Sequence, residues 1–278
     1  MKKKEKAVSY QTAALMRARQ DKYFKVIALI GFLLLWELFG RINLTTLWIE
    51  PKFLPMPSEI ILAVITYIQD GTFWGHIGIS LYRVLVGFLI GVVIAIVLGG
   101  AIASFRAVDN VVSPILNLFG PIPIMAFLPM FVLWFGIGES SKIILVTYAT
   151  VIYMVSYVSN GIKDTDPVLI RSASSLGASS LQIFIKVKFQ SALPHIFEGM
   201  KGALGAAFGA MVVAEMMGAS TGLGYIIVFS KNWFKMSDMF MAAIVIGLLY
   251  SVIHAIMTTI ENLLFKWRSN GMSSAVES

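Results

Sequence analysis

The sequence predicts an all-α integral membrane protein with about six transmembrane helices. Three observations carry the prediction. Of 278 residues, 58% are hydrophobic and only 13% are charged, against about 25% charged in a soluble domain. The apolar residues gather in blocks of roughly the 20 residues needed to cross ~30 Å of hydrocarbon, instead of being scattered as a soluble core requires. Eight of the 22 Lys and Arg precede residue 26, the basic flank expected of a first helix whose N-terminus stays inside.

Composition also excludes. With no cysteine, disulfide staples, thiol catalysis and cysteine–zinc sites are ruled out. A net charge of +7 raises nucleic-acid binding only as a remote alternative, because the basic residues cluster where a membrane flank needs them. The basic stretch is too long for a signal peptide, and no small-x-small cleavage site follows the apolar run.

Residues 1–22 read as a polar cytoplasmic tail that can lie as a helix on anionic lipid. The first span covers 24–42, with Trp36 and Trp48 as interface anchors. Pro51, Pro55 and Pro57 stop one helix, and Ser58 is positioned to cap an amphipathic helix over 58–70. The second span, 84–105, is uncharged and contains Gly87-x-x-x-Gly91 with Gly99 and Gly100, a spacing that admits a close neighbouring helix. Arg106 and Asp109 mark a short loop. Residues 110–138 are uncharged but carry Pro114, Pro121, Pro123, Pro129 and Gly120. So interrupted a span survives in lipid where protein or a wet cavity satisfies its freed carbonyls. A kinked helix inside the bundle and a helix lining a transport route are compatible readings of it.

A fourth span occupies 141–161, and a polar segment, 163–198, follows. The fifth span, 200–217, places Gly202, Gly205 and Gly209 on one face, suited to tight helix contact. Residues 218–237 form a Gly-rich loop with a short helix, the sixth span is 239–262, and Lys266-Trp267-Arg268 closes the chain at the membrane surface. With the N-terminus inside, sixteen basic residues fall on the cytoplasmic side and five outside, Arg83 in the second span belonging to neither. The expected organisation is a cytoplasmic tail (1–23), one transmembrane domain (24–265) and a cytoplasmic C-terminal tail (266–278).

The chain lacks the apparatus of an enzyme. Gly136-Ile-Gly138-Glu-Ser-Ser-Lys142 has the wrong spacing for a phosphate-binding loop, there is no H-E-x-x-H helix, and His76, His195 and His254 fall in separate elements. His254, alone in a span, reads as a hydrogen-bonded packing residue. Energy for uphill transport must therefore come from an ion gradient or another subunit. Few ionisable groups reach membrane depth: Glu37, Arg83, Glu215 and Glu261. All but Glu215 can be boundary residues that snorkel to headgroups. Glu215 lies deeper, placed to pair with Arg83 or to accept backbone bonds from the following glycine-rich loop, a structural or gating role rather than proton coupling. No internal repeat of the kind many carriers show is present.

The polar segment is the most specific feature. Pro167 can start a helix in which Leu169, Ile170, Ala173 and Leu176 form an apolar stripe. Gly177 permits a backbone reversal, and Leu181, Ile183, Phe184 and Val187 begin a second amphipathic helix, broken by Pro194. An interfacial helix pair lying on lipid and a rigid knob seated in a cytoplasmic motor both fit the spacing.

This segment resembles the coupling loop of permease subunits of ABC-type importers, whose pattern is Glu-Ala-Ala, three residues, Gly, nine residues, Ile-x-Leu-Pro. Set on Gly177, the Ala-Ala pair falls on Ser172 and Ala173 and the Ile on Val187. Arg171 stands where the pattern has Glu, and Phe189-Gln190 where it has Leu-Pro, which returns as Leu193-Pro194. The chain is most similar to the nitrate/sulfonate/taurine-type branch. It shares Phe53-Leu-Pro-Met-Pro-Ser58, Ser80-Leu81-x-Arg83-Val84-x-x-Gly87-Phe88, Pro121-x-Pro123 through Pro129 to Phe135-Gly136-x-Gly138, and Ala214-Glu215 with Gly222-x-Gly224.

The resemblance implies the type I importer permease arrangement with a cytoplasmic coupling helix, in a prokaryotic cell membrane with both termini cytoplasmic. It implies a second copy of this chain, two cytoplasmic ATP-binding subunits and an extracytoplasmic solute-binding protein as partners, beside membrane lipid and with no nucleic acid. ATP and Mg belong to the partner ATPase; this chain holds no cofactor or metal. Coupling falls to Arg171, Ser172, Ala173, Leu176, Gly177, Ala178, Val187, Leu193 and Pro194. The pathway would be lined by the broken third span, the fifth and parts of the second, with Met125, Phe127, Trp134, Tyr148 and Glu215 as candidates. The implied solute is a small anion such as a sulfonate, taurine or nitrate; a vitamin or aromatic compound (a thiamine precursor, riboflavin) is the alternative, and an ion-gradient-driven carrier a more distant one.

Overall fold

A computed structural model describes residues 2–265, with side chains from residue 23 onward. The expected tail 266–278, with Lys266-Trp267-Arg268, and the side chains of the N-terminal lysines lie outside the described residues. Among the described residues every element is helical. The helices are α1 (Lys2–Thr46), a 3-10 turn (Pro51–Phe53), α2 (Pro57–Gln69), α3 (Phe73–Ser104), α4 (Arg106–Phe119), α5 (Ile124–Phe135) and α6 (Glu139–Lys163). There follow α7 (Pro167–Ser175), α8 (Ser180–Ile183), a π turn (Phe184–Lys188), α9 (Phe189–Gly218), α10 (Leu223–Asn232) and α11 (Met236–Leu264).

Five of these stretches are long and apolar enough to cross a membrane: Tyr23–Thr46, Phe73–Ser104, Glu139–Lys163, Ser180–Gly218 and Met236–Leu264. The pair α4 and α5, bent by 105°, makes a sixth when it is counted as one broken span. The third span is therefore no single kinked helix. Pro121 and Pro123, two residues apart, remove two amide donors; Gly120 keeps helical backbone (φ −58, ψ −45), and the chain turns after it, with Pro123 extended (ψ 133) where it opens α5. Pro114 and Pro129 each remove only one donor and stay inside helices. The short loop expected at 105–109 shrinks to Phe105, because α4 already begins at Arg106.

The central layer is α3, α6 and α9. In lipid, burying apolar surface does not drive helices together, so close packing must. A Cβ built on Gly87 would stand 2.7 Å from Val146 Cβ, on Gly91 2.5 Å from Thr150 Cβ, and on Gly99 2.7 Å from Val158 Cβ. The Gly87-x-x-x-Gly91 reading thus holds and runs on for two further turns along α6. In α9, Gly199 and Gly202 seat Tyr157 and Tyr153. Gly205 and Gly209 make no such approach: the nearest atom to the first is 3.8 Å away, and nothing lies within 4 Å of the second. Glycine spacing alone does not reveal which turns of a helix meet a neighbour.

Further expectations change. The fifth span does not start at residue 200, and Pro194 does not break its helix. Residues Ser180–Gly218 form one 39-residue helical stretch. Pro194 sits inside α9, six residues past Lys188, the last residue of the π turn. At 1.5 Å per residue this rod is about 58 Å long, longer than the ~40–45 Å of a whole bilayer. Ser58 does not cap α2 through its own oxygen. Its hydroxyl donates to Glu37 Oε1 (3.0 Å), its amide to Glu37 Oε2 (3.1 Å), and Glu59 Oε2 accepts from Met56 N (3.0 Å). Glu37 is consequently a tie between α1 and α2, not a headgroup anchor. Almost all of the α1 span is exposed on the single chain.

Candidate functional site

Two constructions at opposite ends of the bundle have defined chemistry. At the end predicted to be cytoplasmic, Asp166 caps α7 by accepting from Val168 N (2.7 Å), with Pro167 at the first helical position. At the other end of α7, Gly177 N donates to Ser174 O (3.0 Å) and Ala178 N to Ala173 O (3.1 Å), a Schellman closure. The closure requires a left-handed residue, and Gly177 has φ +79. Two residues on, Ser179 and Gln182 exchange bonds as a capping box: Gln182 Oε1 accepts from Ser179 N (2.8 Å), and Ser179 Oγ from Gln182 N (3.3 Å). Every turn between α7 and α8 is thus fastened by local bonds. The result is a stiff two-helix unit built into the base of the long α8–α9 rod.

The unit exposes what a soluble surface hides. Leu176, next to the turn, is 88% exposed, and Val168, Leu169, Leu181 and Ile185 are also exposed. Exposed apolar side chains of this kind mark a surface that meets a protein or a membrane. Arg171, Ser172 and Gly177 are exposed beside them, Ala173 and Ala178 half-buried; Val187, Leu193 and Pro194 lie farther along the rod, partly covered. Between the unit and the end of α3 is an apolar cavity of about 810 Å³, bordered by Gly100, Phe105, Ile170, Leu181, Phe184 and Phe189. Side-to-side packing is therefore loose there, and the continuous α8–α9 helix is the unit's main connection to the bundle.

At the opposite end lies a buried ion-pair lock. Arg83, 1% exposed, donates from Nε and Nη2 to both oxygens of Glu139 (2.7 Å each). Its Nη1 reaches Glu215 Oε1 (2.7 Å) and Thr221 O (2.8 Å). Glu139 also accepts from Lys142 Nζ (2.9 Å). Glu215 accepts in addition from Ser80 Oγ (2.8 Å) and Gly224 N (2.8 Å). The first amides of α10 are taken up in turn: Gly222 N by His76 Nδ1 (3.0 Å), Leu223 N by Ser80 Oγ (2.9 Å) and Gly224 N by Glu215. A carboxylate at a helix N-terminus is favoured by the exposed amides and the helix dipole. Gly222 has φ +126, and a Cβ there would overlap the Glu215 carboxylate.

The expectation that Arg83 snorkels to headgroups is therefore wrong. It sits about 15 Å along α3 from Phe73, where two carboxylates and a carbonyl fully engage its guanidinium. Glu261, part-buried near the end of α11, accepts from Lys201 Nζ (2.6 Å) and so ties α9 to α11. Both bonding modes foreseen for Glu215 occur together. Its saturated, solvent-free carboxylate suits a brace between α3, α6, α9 and α10 rather than a proton carrier. His254 packs its ring on Tyr250 (5.7 Å), and among the described residues its side chain makes no hydrogen bond, contrary to expectation.

Of the expected pathway residues, Phe127 and Tyr148 meet (5.1 Å between rings), with Phe131 completing the cluster. Trp134, although exposed, packs on Phe131 (6.2 Å between rings) at the edge of that cluster, Met125 is exposed, and Glu215 belongs to the lock. Sequence reading passed over Glu139, Ser80 and His76. Glu139 was visible only as part of a failed phosphate-loop motif. An acid opening a span at the depth of a lone arginine was the usable signal. Nothing local identifies Ser80 or His76, whose partners are 135 and 146 residues away. The Ser179-x-x-Gln182 box was legible but unread.

Residues 87–269 match the family described as the binding-protein-dependent transport system inner membrane component. The chain is 36% identical over 203 residues to the taurine transport system permease protein TauC of Escherichia coli, covering 71% of this chain and 74% of that protein. It is 30% identical over 236 residues to the putative aliphatic sulfonates transport permease protein SsuC of Bacillus subtilis, covering 85% and 84%. Its fold is similar to a chain of the inward-facing MetNI methionine ABC transporter, with TM-score 0.63, 21% identity, and 70% of this chain and 97% of that one covered.

Proposed function

Because the chain belongs to the family of binding-protein-dependent transport inner membrane components, an ABC importer permease for small solutes, we propose that it forms the pathway of an ATP-driven importer of small organic anions of the sulfonate and taurine class. Two copies make the pathway, each presenting its α7–α8 unit to one of two cytoplasmic ATPase subunits, which hold the ATP and Mg. An extracytoplasmic binding protein delivers the solute to the opposite face, and both termini are cytoplasmic. The observation that carries this reading is the α7–α8 unit itself: locally fastened at every turn, exposing Leu176, and continuous with a membrane-crossing helix.

A joint that transmits force must not yield, and it must seat in a partner. Leu176, Ala173 and Ala178 around the Gly177 turn supply the seat, with Arg171 and Ser172 on its rim, and Val187, Leu193 and Pro194 belong to the lever. When ATP closes the motor, the rod carries the displacement to α3 and α6 through the glycine-lined contacts. The lock keeps α10 moving with α3 and α9 at the outer end. Solute passes along the α4–α5 bend and the face of α6, where Phe127, Tyr148, Met125 and Trp134 lie. The relatives named for taurine and aliphatic sulfonates support the solute class.

The test is uptake of radiolabelled taurine and an alkanesulfonate into proteoliposomes holding the complete complex with its binding protein. Uptake that requires internal ATP and survives a protonophore is expected. Flux without ATP that collapses with the protonophore would instead make this a gradient-driven carrier.

A further inference from the structure

Near the predicted cytoplasmic ends of α4 and α6 lies a second cavity, of about 240 Å³, unlike the apolar one beneath the α7–α8 unit. It is bordered by Ser113 and Asn117 of α4 and by Ser156, Ser159, Asn160 and Lys163 of α6. Lys163 Nζ donates to Asp109 Oδ2 (2.7 Å), and Ser113 Oγ to Asp109 Oδ1 (2.5 Å). Among the described residues the side chains of Asn117, Ser156, Ser159 and Asn160 make no hydrogen bond; Asn117, Ser156 and Asn160 are exposed on the single chain, and Ser159 is 4% exposed. Ser156 is about 10 Å along α6 from Lys163 and Asn117 about 16 Å along α4 from Arg106, so these groups sit at membrane depth.

Unpaired amides and hydroxyls are tolerated at that depth where they face a water-filled space, and the cavity has far more room than one water needs. We propose that this cavity is the cytoplasmic leg of the solute route, a wet vestibule whose hydroxyls and amides pass on a small oxyanion. The inference rests on the importer reading and adds to it the exit and the chemistry there. Hydroxyl and amide groups donate to sulfonate or carboxylate oxygens. Because Asp109 neutralises Lys163, the site carries no net charge to trap the anion. Weak, repeated hydrogen bonding is what a conducting path requires, since a solute must leave as readily as it enters.

The absence of cysteine from the chain makes the test direct. Asn117→Cys, Ser156→Cys and a control, Leu89→Cys, on the exposed apolar face of α3, are each placed in the complete transporter in inside-out vesicles. They are treated with the membrane-impermeant anion sulfonatoethyl methanethiosulfonate. Cysteines 117 and 156 are expected to react at least about tenfold faster than the lipid-facing control, since a charged reagent is excluded from hydrocarbon. Separately, Ser156→Asp is expected to lower ATP-dependent taurine uptake about tenfold by repelling the anion, with ATPase subunits still bound, while Ser156→Thr retains uptake. Labelling no faster than the control, or uptake indifferent to Ser156→Asp, overturns the vestibule even if ATP-dependent uptake by the parent transporter is intact. Loss of ATP dependence in the parent is a failure of the importer reading, measured independently of either arm.

Discussion

Replacing Arg83 with Met removes the centre of the outer lock while keeping most of its volume. The consequences for its two acidic partners differ. The Glu139 side chain is 47% exposed and regains water when its partner goes, at little cost. The Glu215 side chain is 0% exposed, so it is left as an uncompensated buried charge. Breaking a buried pair in this way costs about 3–5 kcal/mol. At about 2–4 °C per kcal/mol for a chain of this size, the melting temperature falls on the order of 10 °C. Tryptophan fluorescence of the purified complex on heating reads that change. Glu215→Gln alone is milder, about 1–3 kcal/mol, because Arg83 keeps its two-pronged bond to Glu139 and the amide still accepts from Ser80 or Gly224. Adding Glu215→Gln to Arg83→Met removes the stranded charge and should recover most of the loss. If Arg83→Met melts within a couple of degrees of the parent, or the double variant is no better than the single one, the lock does not brace the outer end as described.

Other outcomes follow from the same geometry. Gly177→Ala meets no atom within 4 Å but carries about 1–2 kcal/mol of left-handed backbone strain. It should lower the ratio of transport to ATP hydrolysis, and Gly177→Asn, which tolerates that backbone, should largely preserve it; equal defects would dissociate coupling from backbone conformation. Gly177→Asp is expected to weaken ATPase association or uncouple hydrolysis, read by co-purification. Leu176→Asp, at an 88% exposed position, should leave the melting temperature unchanged while reducing ATPase co-purification at least about tenfold. Gly91→Val forces a side chain against Thr150 and should destabilise by about 1–3 kcal/mol or more. Gly209→Ala, facing open space, should be neutral or slightly stabilising on heating.

Legibility in the sequence followed the range of the interaction. The turn at Gly177 was readable because its determinants sit within a few residues: Pro167 to start a helix, Gly177 to reverse it, Ser179 to start the next. The Gly87–Gly91 contact face was readable because small residues four apart in an uncharged span have few other uses in lipid. The same spacing misled at Gly205 and Gly209, where no neighbour approaches. Glu215 was correctly singled out by depth, and its two bonding modes were foreseen because a buried carboxylate must be compensated. That Arg83 was its partner instead of a headgroup anchor depended on Glu139 and Thr221, which chain order does not bring near.

Sequence by itself determined the solvent of this protein, its helical class and the local geometry of the α7–α8 unit. Each follows from composition or from bonds between residues close in the chain. Tertiary structure alone decided the 105° turn that splits the third span, the continuous rod from Ser180 to Gly218 through Pro194, and the convergence of Ser80, Arg83, Glu139 and Glu215. The physical reason is the same in each case. A proline or a buried charge only announces a cost, and how that cost is met depends on which backbone carbonyls and side chains distant segments bring within about 3 Å.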